Sequence, residues 1–231
     1  MIKQKLDEYL EFDSNYLFKS YPNNYVSFER LIRVFGGALR DIIANQPIHD
    51  VDILCGSMSF NFLRNSLQYM GFTYMDNLVG KDIASLYKGI RVISEPHTWI
   101  KGTKIVQLIR PTGFNGNTKD HYKKNFTDLI SNVDISCCGL SYDGETLFEN
   151  FPNAIIHCQN KVFSVNNKAK MYSDRIHHRR AKLEERGWSE ISDSIIDARN
   201  IKIENLMRNN QPIDFIPEFS SDLDLFPKLI R

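Results

Sequence analysis

The sequence has few cysteines and lacks the cysteine spacings that mark metal or redox sites. Its four cysteines, Cys55, Cys137, Cys138 and Cys158, include no C-x-x-C pair, so neither a zinc site nor a dithiol redox motif is indicated. Three of them stand in or beside apolar runs, where a free cysteine behaves as a small hydrophobic residue. We therefore expect reduced, structural thiols.

Long apolar runs and an apolar leader are also missing. No window approaches the roughly 20 apolar residues that a membrane-spanning helix needs. The lysines of the opening residues MIKQKLDEYL are not followed by the apolar stretch of a signal peptide. These absences predict a cytoplasmic protein with no membrane partner.

An excess of charge of either sign is absent as well. The 29 Lys and Arg residues balance 28 Asp and Glu residues, which leaves a formal net charge of +1. The field of the whole molecule therefore favours no class of partner, and any nucleic-acid contact must depend on a local patch. The chain of 231 residues is 42% hydrophobic and 25% charged, which is typical of a globular protein with a buried core.

Apolar runs separated by glycine and proline predict an α+β fold. We expect a small mixed β-sheet with helices on one side, followed by a C-terminal helical part. The domain boundary is expected near 165, with a catalytic domain over 1–165 and a helical region with a tail over 166–231. The main strand predictions cover 31–35, 49–55, 104–110 and 133–142, and the main helix predictions cover 57–72 and 168–186.

Two aspartates alternate with apolar residues in the predicted strand H-D-V-D-I-L-C. Successive strand side chains point to opposite faces, so Asp50 and Asp52 share one face while Val51 and Ile53 point into the core. Carboxylates this close repel each other unless they share a cation, and such oxygen ligands suit Mg²⁺ or Mn²⁺. Asp134, in V-D-I-S, is the candidate third metal ligand or general base, on a neighbouring strand. A solvated strand face is the alternative interpretation of D-x-D alone.

A glycine pair precedes the aspartates. Gly36 and Gly37 stand between a predicted strand and the start of a short predicted helix, ALRDIIAN. Glycine lets a backbone approach a phosphate closely, and the first N–H groups of a helix favour an anion. A plain tight turn is the alternative. Together with the carboxylate pair, the glycines predict a site that holds a triphosphate and ionises an attacking hydroxyl.

The residues F-G-G-A-L-R-D followed by D-V-D-I resemble the G-G-x-x-R-D…D-x-D signature of the DNA polymerase β-like nucleotidyltransferases. The resemblance is nearest to the head domain of poly(A) polymerases and class II CCA-adding enzymes. It implies a nucleoside triphosphate donor, two Mg²⁺ ions and transfer of a nucleoside monophosphate to a hydroxyl, with release of pyrophosphate.

The resemblance also implies roles for individual residues. It places Gly36 and Gly37 at the triphosphate and the two aspartates of D-V-D on the metals. Arg40 is expected on phosphates or in an adjoining ion-pair network, and Asp41 in a local structural role, as a cap or paired with Arg40.

A basic helix is predicted over 168–186. Its residues Arg175, Arg179, Lys182 and Arg186 step by four, three and four positions, so they share one helical face. We expect this face to line the cleft and to contact the triphosphate or an RNA backbone. An ordinary solvated face is the alternative interpretation.

These patterns together predict a Mg²⁺-dependent nucleotidyltransferase. The first choice of acceptor is the 3′ end of an RNA, such as a tRNA, extended without a template. The second choice is a small molecule or a protein side chain, as in antibiotic-modifying or toxin-type relatives, and the compact length favours it. A catalytically inactive binding protein is the third choice, against which the intact Gly-Gly and D-x-D patterns count.

Overall fold

The computed structural model describes residues 1–18, 32–75, 97–110, 130–131, 133–166 and 173–191. The predicted tail from 211 onward and the side chain of Arg175 lie outside the described residues.

A seven-stranded sheet forms the centre of the described fold, in the order β3-β4-β5-β2-β1-β6-β7. Strands β2 and β5 run parallel, and the other five neighbouring pairs of the sheet run antiparallel. The predicted mixed sheet is therefore confirmed. The strands of the sheet are β1 (Ile32–Phe35), β2 (Asp50–Cys55), β3 (Thr73–Met75), β4 (His97–Lys101), β5 (Lys104–Ile109), β6 (Leu140–Tyr142) and β7 (Leu147–Glu149).

The helices pack on the sheet face that carries Val51 and Ile53. The side chains of Val51 and Ile53 are fully buried in one apolar cluster. This cluster includes Leu6, Leu39 and Leu63, which lie on three different helices. Helices on one side of the sheet were predicted. Asp50 and Asp52 lie on the other face of β2, away from this core. No described helix has the length and apolar character that crossing a membrane requires. The helices are α1 (Ile2–Leu10), α2 (Asn15–Phe18), α3 (Gly37–Ile43), α4 (Ser57–Tyr69), α5 (Ala154–Gln159) and α6 (Ser173–Glu185).

The C-terminal helix α6 packs onto this body. Its residues Ile176 and Leu183, together with Trp188, belong to the same apolar cluster. Trp188 Nε1 donates a hydrogen bond to Gln46 Oε1 at 2.9 Å. A two-stranded parallel sheet of β8 (Val162–Phe163) and β9 (Ser189–Glu190) fixes the end of this segment. Residues 173–191 thus lie against the loop that precedes β2.

The predicted strand over 133–142 is wrong for most of its length. Only its end forms β6, and Ser136–Cys138 forms a 3₁₀ turn instead. The reason is a buried polar network, in which Ser136 Oγ lies 2.5 Å from His157 Nδ1 and accepts the Ser164 backbone N–H at 2.9 Å. These contacts tie the segment to α5 and to the residue after β8, and not to a sheet neighbour.

Gly139 follows that turn and lies against Phe151. A Cβ atom at Gly139 would lie 2.1 Å from Phe151 Cβ and 3.1 Å from Phe151 Cα. The Gly139 carbonyl accepts the backbone N–H groups of Asn150 and Phe151 at 2.8 and 3.0 Å, so the two segments cannot separate without losing hydrogen bonds.

We expect Gly139→Ala to lower the free energy of unfolding by about 1–3 kcal/mol, measured by urea denaturation. In the control Gly56→Ala, where an added Cβ meets nothing within 4 Å, we expect a change under about 0.5 kcal/mol. Equal stability of the two variants would contradict this account of the contact.

Candidate active site

The glycine turn and the carboxylate pair meet where β1 ends. Phe35, the last residue of β1, pairs with Asp52 of β2, so the chain leaves the sheet beside that carboxylate. Gly36 has a φ of 73°, a conformation that favours glycine. A Cβ atom at Gly36 would lie only 3.7 Å from Asp52 Oδ2. The glycine turn and the Asp52 carboxylate are therefore neighbours in the structure.

The carboxylate pair lies on one face of β2, as the alternation predicts. Asp50 and Asp52 are half-buried, and Val51 between them is fully buried on the other face. Oδ1 of Asp52 is buried and has no hydrogen-bond partner among the described residues. Burial, together with the charge of Asp50, raises the pKa of Asp52 well above its usual value, although Arg179 and Arg40 act in the opposite direction. A buried, unsatisfied carboxylate oxygen beside a second carboxylate is a suitable ligand set for a hard cation.

Arg40 lies in an ion-pair network behind the glycine turn. Its Nε donates to Asp41 Oδ1 at 2.7 Å, and its Nη1 lies 3.5 Å from Cys138 Sγ. Arg186 Nη2 lies 2.9 Å from the same Asp41 oxygen, and the carboxylate is 1% exposed. Burial alone would lower the Arg40 pKa, but Cys138 and Asp41 raise it above its usual value, so the guanidinium stays charged. The pairing of Arg40 with Asp41 is confirmed, and a phosphate contact of Arg40 stays a prediction.

Asp134 lies near the site but on an irregular segment. It is 2% exposed and forms an ion pair with Arg179 of α6. The charge of Arg179 also acts on Asp52, so α6 brings a guanidinium near the carboxylates. In the described part of the chain, no three His, Cys, Asp or Glu side chains are arranged to hold a metal ion. The roles of Asp134 as third ligand or general base, and of Arg179 in nucleotide binding, stay predictions.

The basic residues of α6 and Arg186, which directly follows the helix, do not form one free face. Arg179 and Arg186 pair with the buried carboxylates of Asp134 and Asp41, whereas Lys182 is exposed to solvent. Two of the four cations predicted to share a face therefore offset charges inside the protein.

The neighbouring strands place uncharged residues beside the aspartates. Strand β5 sets Ile105 next to Asp50 and Gln107 next to Asp52, and β1 sets Phe35 on the other side of Asp52. Gln107 is 8% exposed and was missed by the sequence interpretation. Its signal was a lone polar residue within the apolar run K-I-V-Q-L-I, but only the strand register shows that it adjoins the site.

Three solved structures are similar to this chain. A CCA-adding enzyme in complex with CTP matches with a TM-score of 0.51 and 13% identity, over 77% of this chain and 40% of that chain. The apo form I of a CCA-adding enzyme matches with a TM-score of 0.49 and 12% identity, over 77% and 39% of the two chains. A tRNA nucleotidyltransferase complexed with a primer tRNA and an incoming ATP analogue matches with a TM-score of 0.48 and 11% identity, over 99% and 60%.

The likeness to the CTP complex confirms the predicted nucleotidyltransferase fold. This chain spans about 40% of the length of that enzyme. No model of a protein family and no curated protein matches the sequence.

The raised pKa of Asp52 leads to a test of metal-free stability. Native Asp52 holds its proton more tightly than the unfolded chain does, so its charge costs stability as pH rises above about 4, the usual carboxyl pKa. In EDTA at pH 7 we expect Asp52→Asn to melt at a higher temperature than wild type, with a gap that closes as pH falls to about 4. Asp13→Asn is the control, because that exposed carboxylate pairs with Lys3 at 2.8 Å and its removal should bring no gain. A lower melting temperature of Asp52→Asn than of wild type at pH 7 would contradict the inference that the Asp52 charge costs stability in the folded protein.

The Asp41 network leads to a second test. Asp41→Asn leaves the guanidinium groups of Arg40 and Arg186 together without a counter-charge, so we expect a loss of about 3 kcal/mol in the free energy of unfolding. Glu190→Gln is the control, since Glu190 and its partner Arg180 are both partly exposed and pair at 2.6 Å, and we expect it to lose less than about 1 kcal/mol. Urea denaturation measures both. Similar small losses would show that the two arginines find other partners.

Proposed function

We propose that this chain is a metal-dependent nucleotidyltransferase. It moves a nucleoside monophosphate from a nucleoside triphosphate to a hydroxyl and releases pyrophosphate. The observation that carries the proposal is the contact between the Gly36 turn and the Asp50–Asp52 face, where a Cβ atom would lie 3.7 Å from Asp52 Oδ2. The turn, whose backbone can approach a phosphate, lies beside two carboxylates that could hold a metal ion, and phosphoryl transfer uses both features.

The triphosphate is placed at the glycine turn. Gly36 and Gly37 present no side chain to an incoming phosphate, and the first N–H groups of α3 have no acceptor within the helix. Arg40, held by Asp41, keeps a positive charge behind the turn. The shared fold of the CCA-adding enzyme in complex with CTP supports a nucleoside triphosphate as donor.

Asp50 and Asp52 are the residues proposed to hold Mg²⁺ or Mn²⁺. Oδ1 of Asp52, which has no hydrogen-bond partner among the described residues, and the adjacent carboxylate of Asp50 form an all-oxygen donor set, which these ions prefer. A bound cation would lower the pKa of the acceptor hydroxyl and offset charge on the reacting phosphoryl group. Asp134, positioned by Arg179, is proposed as the third carboxylate or as the base that accepts the hydroxyl proton.

The acceptor is proposed to be the 3′ end of an RNA, with tRNA as first choice. The fold shared with a CCA-adding enzyme supports this acceptor. The exposed Lys182 on α6 and Arg179, which also pairs with Asp134, offer contacts to an RNA backbone, which binds through its phosphates.

The proposal is tested by supplying each of the four labelled nucleoside triphosphates separately, with Mg²⁺ and total RNA. We expect labelled RNA and released pyrophosphate, and no labelling in EDTA. The double variant Asp50→Ala, Asp52→Ala should lower the rate at least about a hundredfold, because it removes the oxygen ligands. Asp13→Ala, which removes an exposed carboxylate, should keep the wild-type rate.

The outcomes separate the candidate acceptors. Label in a protein or small-molecule fraction, with none in RNA, would establish the second choice of acceptor named from the sequence. A double variant with unchanged activity and unchanged Mn²⁺ binding would refute the enzyme proposal.

A further inference from the structure

The two aspartates of β2 are not held equally by the strands around them. Asp52 has Phe35 of β1 on one side and Gln107 of β5 on the other. Strand β1 ends at Phe35, so among the described strands Asp50 has a paired neighbour on β5 alone, which is Ile105. Asp50 is also the first residue of β2. Its position therefore depends on what holds the start of β2 against β5.

A tyrosine of α1 joins these two strands at that point. The Tyr9 hydroxyl accepts the backbone N–H of Ile105 at 2.8 Å and donates to the His49 carbonyl at 2.8 Å, with the Ile105 carbonyl farther away at 3.3 Å. His49 precedes Asp50, and Ile105 is the strand partner of Asp50. A parallel ladder joins the N–H groups of one strand to the carbonyls of the next. The hydroxyl therefore bridges β2 and β5 at the level of Asp50.

The end of α1 that carries this tyrosine is fixed to the body. Leu6 and Leu10 of the helix are fully buried in the apolar cluster. Glu11, which follows the helix, forms ion pairs with Lys101 at the end of β4 and with Lys104 at the start of β5. The helix end is thus anchored beside the residue that donates its N–H to the tyrosine, so the bridge has a rigid support.

The Tyr9 hydroxyl lies within the electrostatic influence of Asp50. Burial, together with the charge of Asp50, raises the pKa of Tyr9, although the hydrogen bond with Ile105 acts in the opposite direction. The hydroxyl therefore keeps its proton and can donate to a carbonyl while it accepts from an N–H.

We infer that Tyr9 is a positioning residue of the proposed metal site. Its hydroxyl holds the start of β2 so that Asp50 lies beside Asp52 and both carboxylates can bind a cation. This inference rests on the proposed function. Phenylalanine at this position would leave the His49 carbonyl and the Ile105 N–H without the hydroxyl that joins them. Groups that orient metal ligands without touching the metal typically affect metal affinity when they are removed.

The test compares Tyr9→Phe, which keeps the ring and removes the bridge, with a matched control. The control is Tyr142→Phe, because the Tyr142 hydroxyl also donates to a backbone carbonyl, that of Gly144, at 2.6 Å. Tyr142 lies in register with Val34 and Ile53, so it belongs to the sheet face opposite the aspartates. Mn²⁺ is titrated calorimetrically into the full metal-free chain. We expect Tyr9→Phe to raise the Mn²⁺ dissociation constant about tenfold and Tyr142→Phe to leave it unchanged.

Two further measurements separate positioning from a general loss of structure. The Mn²⁺ concentration for half-maximal nucleotidyl transfer should rise in Tyr9→Phe by the same factor as the dissociation constant, and saturating Mn²⁺ should restore the rate. In EDTA, amide hydrogen exchange in Tyr9→Phe should be faster at Ile105 and unchanged at Ile109, at the far end of β5.

Each other result counts against the inference. A wild-type dissociation constant in Tyr9→Phe, or a rise that Tyr142→Phe matches, would overturn it, and so would unchanged exchange at Ile105. If wild type binds Mn²⁺ and the double variant Asp50→Ala, Asp52→Ala does not, the proposed metal site stands whatever Tyr9→Phe does. Mn²⁺ binding that the double variant retains would refute that metal site, and the inference with it.

Discussion

The antiparallel pairing of β1 with β2 is the constraint on which the site depends. Its register sets Phe35 opposite Asp52. The Gly36 turn, which follows Phe35, therefore lies beside a carboxylate that is 16 positions later in the sequence. On its other edge β1 pairs with β6, and the Gly36 N–H donates to the Leu140 carbonyl at 3.2 Å, which holds the turn from both sides. A slip of one residue in β2 would bury both aspartates and expose Val51, so packing of the core also enforces the geometry of the site.

The carboxylates around this constraint divide into two kinds. Asp41 and Asp134 are almost completely buried, and each pairs with arginine. Asp52 is more accessible, yet one of its oxygens has no hydrogen-bond partner in the described part of the chain and its charge is opposed by burial and by Asp50. A protein tolerates such a cost where function uses it. The pairing pattern therefore distinguishes the carboxylates that offset arginine charge from Asp52 better than burial does.

Local patterns predicted much of this arrangement. Alternation along D-V-D-I placed Asp50 and Asp52 on one face, and the glycine pair marked the turn, because strand geometry and positive φ are properties of short segments. The path of 133–142 could not be predicted this way, since the Ser136–His157 contact joins distant residues. The position of Gln107 beside Asp52 depends on a strand pairing between segments far apart in sequence. Arg179 was identified by its helical spacing and Asp134 by its place in V-D-I-S, but the ion pair between them was not predicted.

The side chain at position 107 affects the charge at the proposed metal site, because Gln107 lies next to Asp52. An acidic side chain at that position would add a third negative charge beside Asp52, whose pKa is already raised by burial and by Asp50. The amide supplies an oxygen and an N–H without that repulsion. Two carboxylates balance the charge of one divalent cation. Because Asp134 is held by Arg179, its charge becomes available to a second cation only if that ion pair opens. The sheet therefore sets the charge at the proposed metal position, and the Arg179–Asp134 ion pair would have to open before Asp134 could join it.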